Sequence, residues 1–226
     1  MDDVPDDGGT LWIPPGAYVT GSPITRTLNA TGALGWGVEI VGGGWSNTTI
    51  YPIQAPSIYA MEIPGPSGTF SSHFVIKGLQ FRSGIDNDCH GLKLTGAANA
   101  KVECFFNHCK IGLDVEAVLI SVFDSAYYQN TIGLQQRASG SFGGAWGSSG
   151  CNANSIRGDF RENLQYGLIS NAFQGIDIQA HFERNGTEDI AGGGTSDTDR
   201  GGMRFNDPEG SEEHTSELQS QNRISY

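Results

Sequence analysis

Asp124, Asp159 and Glu183 each stand a few residues ahead of an asparagine, in the segments DSAYYQN, DFREN and HFERN that close on Asn130, Asn163 and Asn185. Paired carboxyl groups can divide the cleavage of a glycosidic bond between them: one protonates the leaving oxygen while the other activates water or attacks. If these segments are neighbouring strands of one sheet, Asp124 and Asp159 sit two positions apart along adjacent strands, a separation of roughly 8 Å. A gap of that size holds a water and suits an inverting displacement, with Glu183 one strand further on. The same segments carry Arg161, His181 and Tyr128, and Arg157 stands two residues before DFREN. A guanidinium can grip an acidic sugar through paired hydrogen bonds. Trp146 lies in the Gly/Ser-rich stretch RASGSFGGAWGSSG, where a long loop could bring an indole against a sugar ring. A plainer reading stands beside each of these. Outward strand positions in any solvated sheet hold mixed charges, and Trp146 serves equally well as cover for an apolar flank.

What could hold these residues in one place is a repeat. A Gly-Leu pair recurs at Gly91-Leu92, Gly112-Leu113, Gly133-Leu134 and Gly167-Leu168, in steps of 21, 21 and 34 residues. Excising about 12 residues from the Gly/Ser-rich stretch restores the period. An aromatic-rich strand follows each pair and ends at Asn107, Asn130, Asn163 or Asn185. A regular period of this size marks a solenoid, whose units bury their apolar edges only against their neighbours. Counting back from the Asn, alternate positions are apolar or small. They are Cys104, Tyr127, Phe160 and Phe182, then Val102, Ser125, Gly158 and Ala180, then Ala100, Phe123, Ile156 and Ile178. Period-two alternation turns these to one interior face. Lys101, Glu103, Asp124, Asp159 and His181 between them then face solvent. The expected fold is all-β, a single-stranded right-handed parallel β-helix with like residues stacked about 4.8 Å apart. At the turn, Asn amides should bond from coil to coil. After each Gly-Leu pair, Leu94 and Val115 point inward, and Gln136 in the same place is a misfit.

Composition agrees: 226 residues with 33 Gly, 9 Pro and 17% charged side chains describe a turn-rich β protein. Cys89, Cys104, Cys109 and Cys151 have no CxxC spacing and read as small buried hydrophobes rather than zinc ligands or disulfides. A net charge of −12 argues against nucleic-acid partners, and no apolar run is long enough to cross a membrane as a helix. Asp86-Asn87-Asp88 could offer oxygens to calcium, yet reads first as a turn. No GHG or NTD tripeptide, G-x-S-x-G elbow or phosphate loop occurs, and Gly42-Gly43-Gly44 reads as a turn.

The start of the chain resembles a known family. Asp7-Gly8-Gly9-Thr10, then Leu11-Trp12-Ile13-Pro14-Pro15-Gly16-Ala17-Tyr18, is similar to the opening turn and strand of the pectate-lyase-like superfamily. This is the pectin-lyase fold, related to rhamnogalacturonases and phage tailspikes. VEIVGGGWSNTTIYP, Val38 to Pro52, resembles its next strand. The resemblance implies an extracellular or virion-associated enzyme that degrades a polysaccharide, a glycoside hydrolase or lyase acting on an acidic glycan. Asp124, Asp159 and Glu183 are then the catalytic candidates, with Trp146, Arg157, Arg161, His181 and Tyr128 as substrate contacts. No cofactor is required, although a lyase of this kind would take calcium, and a tailspike depolymerase would be a homotrimer. The alternative is a non-catalytic β-helix, the shaft or glycan-binding module of a fibre or adhesin. The β-helix domain is expected over residues 1–209, with a loop insertion about 137–153, truncated at both ends. The family's capping helix before Met1 is missing, and residues 210–226 read as a non-native tail. Ser211 to Gln219, and Ile224-Ser225-Tyr226, match the translation of a common sequencing adapter in one frame.

Overall fold

The computed structural model describes residues 8–25, 37–53, 57–65, 71–84, 87–137, 151–171, 173–174, 176–186, 188–193 and 204–205. The inserted stretch carrying Trp146 and the tail beyond residue 210 lie outside them. Among the described residues there is no helix, and every strand pairing is parallel. The first sheet runs through Gly9–Ile13, Val38–Gly42, Val75–Arg82, Lys101–Asn107, Val122–Tyr128, Ser155–Arg161 and Asp177–Glu183. The second runs through Tyr59–Pro64, His90–Thr95, Ile111–Glu116, Ile132–Arg137, Tyr166–Asn171 and Glu188–Gly193. From Val75–Arg82 onward each strand of the first sheet turns a corner into a strand of the second, whereas Gly9–Ile13 and Val38–Gly42 are followed by Gly16–Thr20 and Thr48–Pro52 of the same sheet. The chain then returns to the first sheet one layer on, and the coils form a right-handed parallel β-helix.

The Gly-Leu column is a structural register. Leu92, Leu113, Leu134 and Leu168 lie opposite one another, and Gly91, Gly112 and Gly133 beside the first three have no room for a side chain. A Cβ on Gly112 would lie 2.6 Å from the Gly133 carbonyl oxygen and 2.8 Å from the Phe106 Cβ. Inside, Phe81, Phe106, Tyr127, Phe160 and Phe182 form a continuous stack with centroids 5.3, 5.3, 4.3 and 4.7 Å apart. Val102, Phe123, Ile156 and Ile178 form the next column. Gln136 is indeed buried. It accepts a hydrogen bond from Ser170 Oγ at 2.9 Å, but its Nε2 has no partner among the described residues.

One coil departs from the expected alignment. Asn107 lies opposite Tyr128, not Asn130, so the coil of Cys104 is displaced by two residues. Cys104 meets Ser125, whose Oγ accepts from the Cys104 amide at 3.1 Å, and Phe106 joins the aromatic stack. Because the displacement is even, the inward and outward faces are unchanged. The outward rows do change: Lys101 lies opposite Val122, and Phe105 lies opposite Ala126.

The corner into the second sheet carries the expected amide ladder, with Cys109 in place of Asn107. The Asn130 Oδ1 accepts from the Cys109 amide at 2.9 Å. The Asn163 Oδ1 accepts from Asn130 N and Nδ2, both at 3.1 Å, and the Asn185 Oδ1 accepts likewise from Asn163 at 3.1 and 2.8 Å. The residue before each ladder position is left-handed: His108, Gln129, Glu162 and Arg184 have φ of 53 to 54°. The opposite corner repeats this at Asn99, Ile120 and Ala153, with φ of 53, 49 and 53°. A β-branched residue suits that conformation poorly.

Asn163→Ala should therefore lower the unfolding free energy by about 3 kcal/mol, because it strands the buried N and Nδ2 donors of Asn130 and removes the bond to the Tyr127 carbonyl. Asn107→Ala, outside the ladder, should cost less than about 1 kcal/mol. Ile120→Asn should stabilise by about 1 kcal/mol, since Ile120 is 61% exposed and loses little packing. Urea unfolding of the three variants checks all of these.

Candidate functional site

Two clusters of polar side chains stand on different sheets. On the outer face of the first, the structure brings together Asp159, Arg161, His181 and Glu183. Arg161 Nε donates to Asp159, 2.8 Å from Oδ1 and 2.6 Å from Oδ2, and Arg161 Nη1 lies 3.5 Å from Glu183 Oε2. His181 Nδ1 is 3.1 Å from Asp159 Oδ1. Arg184 Nη2 lies 3.0 Å from Glu183 Oε1 and 3.1 Å from Glu162 Oε1, and the Tyr128 hydroxyl is hydrogen-bonded to Glu162. Asp124 lies opposite Arg157, and Asp159 opposite Ala126, so the two-residue offset holds. Neither Asp124 nor Arg157 is hydrogen-bonded or ion-paired among the described residues. Trp146 lies outside those residues. Asp159 and Glu183 thus share one guanidinium, and all four groups are well exposed. Ion pairs of this kind contribute little to stability.

The second cluster was not anticipated. It is built by the outward residues that follow the Gly-Leu pairs, together with those at the preceding corner. Asp114, on Ile111–Glu116, is only 1% exposed. Arg137, at the end of the next strand, grips it through two bonds, Nε to Oδ1 at 2.9 Å and Nη2 to Oδ2 at 2.6 Å. The Tyr59 hydroxyl also donates to Asp114 Oδ2. Tyr59 lies opposite His90, and their rings stack with centroids 4.5 Å apart at 22°. Lys93 Nζ stands 5.7 Å from the Tyr59 ring centroid and 3.7 Å from Glu116, which is itself 3.6 Å from Arg137 Nη2. Lys110 Nζ donates to Ser57 Oγ at 3.1 Å.

No protein-family model matches the chain, and no curated protein does. Three solved structures share its architecture. An alginate lyase from Paenibacillus sp. str. FPU-7 is 14% identical over 78% of this chain and 70% of its own, with a TM-score of 0.47. A Geobacillus virus E2 protein is 15% identical over 83% and 53%, at 0.40. The A-module of an Azotobacter vinelandii mannuronan C-5 epimerase is 15% identical over 78% and 68%, at 0.34. The likeness is one of fold alone.

Burying Asp114 costs several kcal/mol, and the guanidinium fork with the tyrosine hydroxyl offsets it by satisfying both oxygens. Burial, reinforced by the Asp114 charge, pushes the Tyr59 hydroxyl far above its usual range, so it stays protonated. Burial also pushes the His90 imidazole down to about 4, with Lys110 adding to the shift, so it is neutral near pH 7. Its Nδ1 is buried with no partner among the described residues. Displaced ionisable groups gathered in one place are a mark of functional sites. The sequence did carry a signal for this cluster. Lys93, Asp114 and Gln135 form one column after the Gly-Leu pairs, two residues beyond each Gly and apart from the columns ahead of the asparagines. The Asp86-Asn87-Asp88 segment is a turn where it is described: Asn87 has φ of 52°, and its Nδ2 donates to the Gln129 carbonyl at 3.0 Å.

A folded His90 value of about 4 against an ordinary 6.5 means that the unfolded chain binds the extra proton between them. The stability it contributes is whole above pH 6.5 and falls away as the pH drops toward 4. The groups facing it are Lys93, Lys110, Asp114 and Arg137. His90→Asn should flatten the acid side of the stability profile, which urea unfolding from neutral to mildly acidic pH will show.

Proposed function

We propose that this β-helix acts on an acidic polysaccharide at the cluster around Asp114, by removing the proton on the carbon next to the sugar carboxylate. The observation that carries this reading is a neutral His90 stacked on Tyr59 within a group of cations that is itself braced by a buried aspartate. Such a proton is removable only when the adjacent carboxylate is neutralised, and the partly exposed Lys93 and Arg137 supply positive charge for that. His90 accepts the proton on Nε2, because its Nδ1 is buried. The electron pair left behind then forms a double bond to the next ring carbon as the glycosidic oxygen departs with a proton from water, which is a lyase reaction. Return of a proton to the opposite ring face would instead invert that carbon. Asp114 positions Arg137 and Tyr59 and touches no substrate. Hydrolysis between Asp124 and Asp159 is less well supported, because Asp159 is engaged by both Arg161 and His181, and Glu183 beyond it is engaged by Arg161 and Arg184. A polymer too large to enter a cell is met outside it, by a secreted protein or by a tailspike depolymerase on a virion. A second reading, a non-catalytic glycan-binding module, is supported by the exposed aromatic residues of the first sheet.

The test is incubation with alginate, polygalacturonate and hyaluronan, following unsaturated uronate by ultraviolet absorbance and inversion by proton NMR. His90→Ala and Lys93→Ala should each slow the reaction by about a hundredfold, with far-ultraviolet circular dichroism unchanged. New reducing ends without unsaturation, or no reaction on any of the three, would sink the proposal.

A further inference from the structure

We infer that the outer face of the first sheet carries a sugar-stacking subsite built on Trp45 and Phe105. It lies on a different sheet from the Asp114 cluster and stands whether or not that cluster is catalytic. The Gly42-Gly43-Gly44 turn creates it. A Cβ on Gly42 would fall 2.3 Å from the Gly78 carbonyl oxygen, and the Gly44 amide donates to that same oxygen at 3.0 Å. Gly44 and Gly78 have φ of 114 and 69°, which side-chain-bearing residues rarely adopt. The turn can therefore press onto the strand Val75–Arg82 and carry Trp45 across it to the next strand. There the indole Nε1 donates to the Glu103 carbonyl at 3.1 Å, and the ring sits 6.3 Å from Phe105 at 31°.

Trp45 is thus fixed at two points and still 41% exposed. A ring already held in place loses little freedom on binding, and an indole offers a large apolar face with its polar edge already satisfied. Its surroundings suit a pyranose, which has an apolar C–H face and a rim of hydroxyls. The Lys77–Glu39 and Lys101–Glu103 pairs, both at 2.5 Å, flank it, and Asp124 is unpaired among the described residues. Phe105, Ala126, Asp159 and His181 form one outward row. Ala126, the smallest side chain of that row, separates its aromatic end from its charged end. Coils about 4.8 Å apart match the advance of a glycan chain by about one sugar per coil. Trp12, 53% exposed, continues the face in the other direction through Val41 and Lys77. A protein partner needs roughly 800 Å² on each side, far more apolar surface than one or two rings flanked by ion pairs provide.

Titration calorimetry of the full chain with hexasaccharides of 1,4-linked galacturonate and of 1,4-linked glucose tests this, since binding is read without turnover. Saturable binding to at least one is expected. Trp45→Ala and Phe105→Ala should each weaken it by roughly tenfold or more, Trp45→Phe should retain most of it, and Leu164→Ala, at an exposed corner, should match the unaltered protein. The inference is overturned if neither hexasaccharide binds, or if Trp45→Ala binds as tightly as the unaltered chain. It is also overturned if sedimentation shows that Trp45→Ala merely dissociates a dimer.

Discussion

Parallel pairing at about 4.8 Å sets each side chain of one coil on its counterpart in the next, and the glycine column shows how little latitude that leaves. Gly91, Gly112 and Gly133 each face the following glycine's carbonyl oxygen at a distance no Cβ could tolerate. With the corner pinned there, the Leu column, the aromatic stack and the inner aliphatic column follow as consequences of one register. A solenoid has no distant contacts with which to correct a misplaced coil. Each coil must therefore fit its two neighbours closely, and the corners carry much of that specification.

The corners do so with backbone conformation as much as with side chains. A left-handed residue precedes each step of the amide ladder, and another marks the opposite corner. Residues as different as Glu162, Arg184, Ile120 and Ala153 accept it. The conformation is imposed by the coil below rather than chosen by the residue. The ladder then satisfies the backbone groups that the turn exposes: Asn163 Nδ2 donates to the Tyr127 carbonyl at 3.2 Å, and Asn185 Nδ2 to that of Phe160 at 3.0 Å. Where Cys109 replaces the asparagine, its amide still finds Asn130, so the ladder begins there.

This explains what the sequence could reveal. Period-two alternation and the Gly-Leu spacing both come from the stacking constraint, so the solenoid and its inward faces were legible. The displaced coil was misread because CFFN ends in an asparagine that is not the ladder residue. Asn130 precedes Gly133 by three residues, as Cys109 precedes Gly112, while Asn107 precedes it by five; the glycine column held the right answer. The Asp114 cluster was missed for a different reason. Its members come from four coils, and Tyr59 reaches Asp114 across 55 residues. Trp45 was hidden in a triglycine turn, whose close approach to Gly78 only the folded chain displays. Neither contact has a local period.

The same constraint decides how outward charges should be weighed. In a parallel stack an outward residue meets whatever stands above it, so a favourable register places opposite charges in one column. Glu39 meets Lys77 through neighbouring strands, Arg161 meets Glu183, Asp159 meets His181, and Glu116 meets Arg137. Such pairs are explained by register before any function is invoked, since like charges in those places would repel from coil to coil. The register therefore accounts for most of the Asp159–Glu183 strip. It does not account for a histidine buried with an unpartnered nitrogen, a tyrosine whose hydroxyl reaches a buried aspartate two coils away, or an indole carried across a strand and left open to solvent. Burial of the first two costs free energy that a simple ion-pair column avoids, and the third exposes apolar surface that a cap would cover. Residues that the stacking rule fails to explain are where function is best sought in a fold of this kind.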